Sequence, residues 1–192
     1  MKWTKRARIE LHRLLIPLGI DSRRLRNDRK LLEKTIFPYL LKEPRFQRIL
    51  FVGTAWYNLH YPTLFRNKEF YTLEIDPQQA TYGSNRHIID SCVHLNKHFA
   101  PDFLDCVIFN GVFGFGLNDP SDIEATFEGI YQTLRNRGLF IFGHNTLPET
   151  SPCPIDSIEH LKRFRSVDFE PLGTSVLASD PVNQHWFRFY EK

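Results

Sequence analysis

Residues Ile49–Pro77 read ILFVGTAWYNLHYPTLFRNKEFYTLEIDP, and two apolar runs frame the stretch. The first, Ile49 to Val52, ends in Gly53; the second, Phe70 to Leu73, ends in Glu74 and Asp76. Strand, glycine turn, connection, strand and acid in that order open the nucleotide-binding class of α/β folds. A carboxylate after the second strand can accept from both hydroxyls of a ribose, and a glycine after the first lets a ligand approach the backbone. Glu74 and Asp76 both qualify, the other acid being free to cap a helix that starts at Pro77. The turn GTAWYN is not glycine-rich, so the pattern is degenerate when taken alone.

The chain beyond it alternates strand and helix. Strands are expected at Ile49–Val52, Phe70–Ile75, Arg86–Ile89, Cys106–Asn110 and Leu139–Gly143, with helices at Pro77–Gly83 and Ser121–Leu134. Asp119 or Ser121 begins the second helix, and Arg135 to Gly138 ends it with cations and a glycine. A proline-rich loop, LPETSPCPID, leads to a short helix around Ile155–Phe164. Gly173–Ala178 and His185–Tyr190 then form a hairpin around Asp180-Pro181. Continuous apolar strands separated by helices imply an α/β, Rossmann-like, mainly parallel seven-stranded sheet. Helices cover both of its faces and an antiparallel hairpin closes it.

Before Arg45 the chain is different. Ten Lys and Arg stand against three Asp and Glu in the first 30 residues, whereas the whole chain carries only +3. The body is therefore mildly acidic and the basic character belongs to the arm. Thr4–Leu18 has helical periodicity and stops at Pro17 and Gly19. Asp21 or Ser22 would cap the next segment, and Arg29–Leu41 reads as a second helix. Residues 1–44 are thus expected to be a helical arm or cap on an α/β domain of residues 45–192. Such helices pack on the domain edge or cover its pocket. A basic face for nucleic acid or an anionic membrane surface is the alternative.

At 192 residues, one domain with a substantial core is the simplest expectation. Three cysteines without CxxC spacing speak against a disulfide framework or zinc knuckle and for a reducing compartment. No run approaches the ~20 apolar residues of a bilayer span, and the basic N-terminus lacks a signal-peptide pattern. A cytoplasmic protein with no integral membrane segment is expected.

Five βα units, an acid after the second strand and a terminal hairpin resemble the class I S-adenosylmethionine-dependent methyltransferases over roughly residues 45–191. ILFVG looks like that family's first motif, TLEIDP its second and HIIDS its third-strand acid motif; LDCVIFNGVFGFG matches its fourth strand and active-site loop, and LRNRGLFIFG the approach to its fifth. The resemblance implies S-adenosylmethionine as cofactor. Gly53 would turn beneath its amino-acid end, Glu74 take the ribose diol and Ile75 lie against the adenine. Asp90, with Ser91 beside it, would accept from the adenine amino group, and Asn110 and Gly111 would border the methyl group and acceptor. The family's two later glycines are replaced by Ala55, which still permits close approach, and by Tyr57, which does not. Either the loop with Trp56 and Tyr57 forms a wall of the site, or it closes the site.

The chemistry then needs no triad, because methyl transfer draws on alignment and desolvation. A base is required only for a hydroxyl acceptor. His144, directly after strand five, is the candidate base, and Asn110 the second catalytic candidate. His87 reads as structural. His94 and His98 have the i, i+4 spacing of metal ligands on a helix, but no third ligand stands nearby, so no metal is expected. The expectation is a methyltransferase acting on a small-molecule or lipid-linked acceptor, since no extra domain is present to hold a macromolecule. The rivals are a non-catalytic binding or scaffold protein of the same fold and a nicotinamide-dependent oxidoreductase, the latter lacking GxGxxG.

Overall fold

A computed structural model of the protein describes residues 4–15, 26–180, 182 and 184–192. Strands β1 (Arg48–Val52), β2 (Glu69–Glu74), β3 (Arg86–Ile89), β4 (Leu104–Asn110) and β5 (Leu134–Asn145) run parallel in the order β3-β2-β1-β4-β5. Beyond β5 come β6 (Arg165–Ser166), β7 (Val176–Asp180) and β8 (His185–Glu191). Strand β8 pairs antiparallel with β5, and both β6 and β7 pair antiparallel with β8.

The strand number corrects the expectation of seven: among the described residues there are eight. The extra strand, β6, pairs with Glu191 and Tyr190, while β7 pairs from Arg188 to His185. The two share one edge of β8 end to end, so the sheet is still seven strands wide. Strand β5 is also longer than expected, because the chain leaves its preceding helix directly into extended backbone at Leu134. The short helix near 155–164 is two 3-10 turns, Ile155–Ser157 and His160–Arg163.

Helices lie on both faces. Helix α1 (Lys5–Leu15) precedes a helical run made of α2 (Asn27–Leu31), a π-turn (Leu32–Ile36) and α3 (Phe37–Lys42). The widened turn immediately precedes Pro38, which has no N–H to give to an α-type bond, and Phe37 bonds back to Leu32 instead. Two short helices come next, α4 (Tyr61–Leu64) and α5 (Leu95–His98), then α6 (Pro120–Thr133). Asp119 caps α6 by accepting from Ser121 N (2.8 Å), with Pro120 in the first turn. The expected stop at Pro17 and Gly19, the cap at Asp21 or Ser22, and Pro181 and Asn183 of the hairpin turn lie outside the described residues.

Strand β4 is buried along its whole length, as a central strand covered on both faces must be. Its alternate residues enter two cores. Val107 and Phe109 join Phe140 and Phe142 of β5 beneath Ile123, Phe127 and Ile130 of α6. Cys106 and Ile108 join Ile49 and Phe51 of β1, Phe187 and Phe189 of β8, and Leu32, Ile36, Phe37 and Leu40 of the N-terminal run. Phe37 stands edge-on to Phe51, Tyr61 and Phe65 at centroid distances of 6.4, 4.7 and 5.0 Å. Arg29–Leu41 is therefore a layer of the fold that completes one core.

Opposite the carboxyl ends of the strands, Asp105 ties three segments together. It accepts from Gln47 N (2.9 Å), Arg48 N (2.7 Å) and Arg135 Nε (2.6 Å). Burial alone would raise its pKa, but the Arg48 amide and the Arg135 guanidinium pull it below the ordinary carboxylate value. A depressed carboxylate stabilises the fold above its unfolded pKa of about 3.9 and loses that contribution as pH falls. Asp105→Ala is expected to cost about 2–4 kcal/mol at pH 7. In urea denaturation its gap from wild type should narrow below about pH 4.

Candidate functional site

A cleft opens across the carboxyl ends of β1, β2 and β4, where parallel sheets place their ligands. Gly53 forms its floor at φ +87°, and a Cβ there would lie 2.8 Å from Val112 Cγ2, so only glycine fits without displacement. Just beyond, Thr54 N and Asp76 N donate to the two carboxylate oxygens of Glu74 at 3.0 and 3.1 Å. Each oxygen keeps a lone pair for another donor. Asp76 does different work: it accepts from Gln78 N (2.9 Å) and caps the 3-10 turn Pro77–Tyr82. The two acids open to choice in the sequence are thus divided, Glu74 into the cleft and Asp76 onto the cap.

Ile75 follows Glu74 and is 66% exposed; Phe115 from the loop after β4 is 56% exposed, and both line the cleft. Asp90 and Ser91 border it after β3. Asp90 Oδ1 accepts from Ser91 N (2.7 Å) and meets His94 Nδ1 (2.8 Å), while Oδ2 meets His98 Nε2 (2.7 Å). One acceptor position on Oδ2 remains. Bonds from His94 foremost, then His98, hold this carboxyl well below the usual range. The two histidines spaced i, i+4 converge on a carboxylate. His87 places Nδ1 2.8 Å from Thr72 Oγ1, while its buried Nε2 has no hydrogen-bond partner among the described residues.

At the end of β4, Asn110 is buried and Gly111 turns at φ +78°. Room for the Asn110 side chain comes from the neighbouring strand: a Cβ on Gly143 would lie 2.0 Å from Asn110 Oδ1. That oxygen accepts from His185 Nε2 (2.8 Å), and His185 Nδ1 faces the Ser179 hydroxyl at 2.7 Å. His185 was not singled out from the sequence. Its only signal is alternation, since it shares a face of β8 with Phe187 and Phe189.

His144 lies elsewhere. It falls on the opposite face of β5 from the one that meets Asn110, stacked on Phe142 (5.0 Å), with Nε2 accepting from Arg188 Nε (3.3 Å). It does not line the cleft. The strand-end position was legible in the sequence, but the parity of β5 turns the ring away.

The atypical first loop forms a wall. Residues Trp56–Asn58 make a 3-10 turn, whose start is held by Ala55 N donating to Asn58 Oδ1 (3.0 Å). Tyr57 lines the cleft, whereas Ala55 does not, and Trp56 turns to His12 of α1 (6.4 Å between centroids). Tyr57 meets a residue the sequence did not single out, Arg29 of α2. Its guanidinium lies over the ring (4.7 Å) with Nη2 3.4 Å from the hydroxyl. A charge in the middle of the N-terminal helix carried no motif to mark it.

The fold can be compared with solved structures. The chain is similar to N-methyltransferase NodS from Bradyrhizobium japonicum WM9 in complex with S-adenosyl-l-homocysteine, at 12% identity over 96% of this chain and 97% of that one (TM-score 0.65). A TehB-like S-adenosylmethionine-dependent methyltransferase from Corynebacterium glutamicum matches at 16% identity over 95% of each chain (TM-score 0.61). An S-adenosylmethionine-dependent methyltransferase from Archaeoglobus fulgidus matches at 14% identity, over 94% of this chain and all of that one (TM-score 0.61). The chain has the class I methyltransferase fold. No protein-family model matches the sequence, and no curated protein matches it. At these identities it is the path of the chain that is shared. Among the described residues, no helix of this methyltransferase fold is long and apolar enough to cross a membrane.

The buried histidines give the fold a pH signature. Desolvation pushes both His144 and His185 from the ordinary 6.5 down to about 4. Between those values the unfolded chain binds protons that the folded chain refuses, so stability falls as pH drops from 6.5 towards 4. Urea denaturation should show a loss on the order of a few kcal/mol across that window. A His144→Gln, His185→Gln double variant should lose much of the slope.

Proposed function

We propose that the protein is an S-adenosylmethionine-dependent methyltransferase acting on a small or lipid-linked acceptor. The observation that carries this reading is the Glu74 carboxylate, fixed by two backbone N–H groups beside the glycine turn of β1, with unused lone pairs toward the cleft. The residues present fit the cofactor. Glu74 would take the ribose diol in charge-assisted hydrogen bonds. Ile75 would lie against the adenine, and Asp90, with Ser91, would use its remaining acceptor position for the adenine amine. Gly53 would pass beneath the amino-acid end, with Tyr57 as the wall beside it.

The bound cofactor supplies a methyl carbon activated by a sulfonium. The chain would contribute position and dryness: Asn110 and Gly111 would border the reacting end, while the exposed Ile75 and Phe115 would lose water only against a bound ligand. An amine or thiolate acceptor needs no base, and His144 has no part in this reading because it lies outside the cleft. The apolar rim suits a small or acyl-bearing acceptor. One carried on an anionic lipid surface would also meet the basic first 30 residues.

Binding without transfer is the second reading, favoured by Tyr57 standing where the methyltransferase motif has a small residue, with Arg29 against it. Transfer of labelled methyl groups to any acceptor in an extract would count against it. The first reading is tested by calorimetry. S-adenosylmethionine should bind saturably, and Glu74→Ala should weaken it about 10- to 100-fold. Absence of binding for both the cofactor and S-adenosylhomocysteine in the wild type would refute it.

A further inference from the structure

Two buried side chains that line the cleft each keep one donor atom without a hydrogen-bond partner among the described residues. Arg29 is 8% exposed and Asn110 1% exposed, and both line the cleft beside Gly111. Arg29 Nε lies 3.5 Å from Asp28 and Nη2 3.4 Å from the Tyr57 hydroxyl, but Nη1 has no hydrogen-bond partner among the described residues. The Tyr61 hydroxyl, which donates to Glu33 (3.0 Å), also faces the guanidinium and favours its charge, so Nη1 is the atom of Arg29 left over. Asn110 is in the same position: its oxygen is committed to His185, and its Nδ2 has no partner among the described residues. Buried donors in folded proteins are almost always paired, so two such atoms in the lining of one cleft point to an acceptor that arrives with a ligand.

The charge of the cleft says where such an acceptor sits. Glu74, Asp90 and Asp122 also line it, and Arg29 is the one cation among its described lining residues. Strand β1 separates β2 from β4, which puts the tips bearing Glu74 and Asn110 about 10 Å apart at ordinary strand spacing. A ligand across that gap meets an acid at its hydroxyl end and a guanidinium with an amide at the other. From this geometry we infer that Arg29 and Asn110 form a carboxylate-binding pair for the amino-acid end of S-adenosylmethionine. Helix α2 thereby supplies the contact that the altered first loop, with Tyr57, does not. The inference rests on the methyltransferase reading and makes the arm part of the cofactor site.

The same donors would suit a carboxylate on the acceptor, and binding measurements separate the two sources. Wild-type protein should bind S-adenosylmethionine about 10- to 100-fold more tightly than its decarboxylated analogue. Arg29→Met should remove most of that preference and leave 5′-methylthioadenosine, which lacks the amino-acid portion, bound within about threefold of wild type. Arg29→Lys, which keeps the charge beside Asp28, should give an intermediate preference. Equal wild-type affinities for cofactor and decarboxylated analogue would overturn the pair's assignment to the cofactor and leave the methyltransferase reading standing. So would an Arg29→Met effect of the same size on 5′-methylthioadenosine. No binding of any adenosyl ligand to the wild type would remove both.

Discussion

The Glu74 carboxylate joins the two turns on which the cleft is built. Thr54 donates from the turn after β1 and Asp76 from the turn after β2, so one side chain sets the spacing of two strand ends. The bond works because Gly53 reverses the chain in a left-handed conformation against Val112. A side chain there would push the turn outward and withdraw Thr54 from the acid. Parallel pairing of β1 with both β2 and β4 then brings Glu74 and Asn110 to the same rim of the sheet.

Each face of the sheet contributes differently to that rim. Helix α6 seals one core and is capped cleanly by Asp119, with Ile123, Phe127 and Ile130 facing the strands. The other core is completed by the N-terminal run, whose π-turn before Pro38 keeps Leu32, Ile36, Phe37 and Leu40 all inward. That packing carries Arg29 into the buried lining of the cleft as a consequence. The helix that finishes the core is also the helix that delivers a cation to the site.

Much of this was legible in the residues. Periodicity located the five parallel strands, and the acid after β2 stood where a ribose ligand would need it. Cap chemistry then separated Asp76 from Glu74 once the 3-10 turn at Pro77 was visible. What was hidden depended on parity and on long-range packing. His144 follows β5 directly, yet one step along a strand turns a side chain to the other face, and the ring stacks on Phe142 instead. His185 and Arg29 come from opposite ends of the chain, 75 and 81 positions from Asn110, and no local pattern connects them to it. The two-residue β6 was beyond any periodicity, because it exists only where β8 has an edge left to pair.

On the proposed reading, the rim formed by Gly53, Glu74 and Asn110 holds the adenosyl cofactor. A crystal structure grown with S-adenosylhomocysteine tests it most directly. Density is expected across the tips of β2, β1 and β4, with the ribose hydroxyls on Glu74 and the adenine against Ile75. Crystals soaked at saturating ligand that leave this cleft without density, or place the ligand with its ribose away from Glu74, would contradict it.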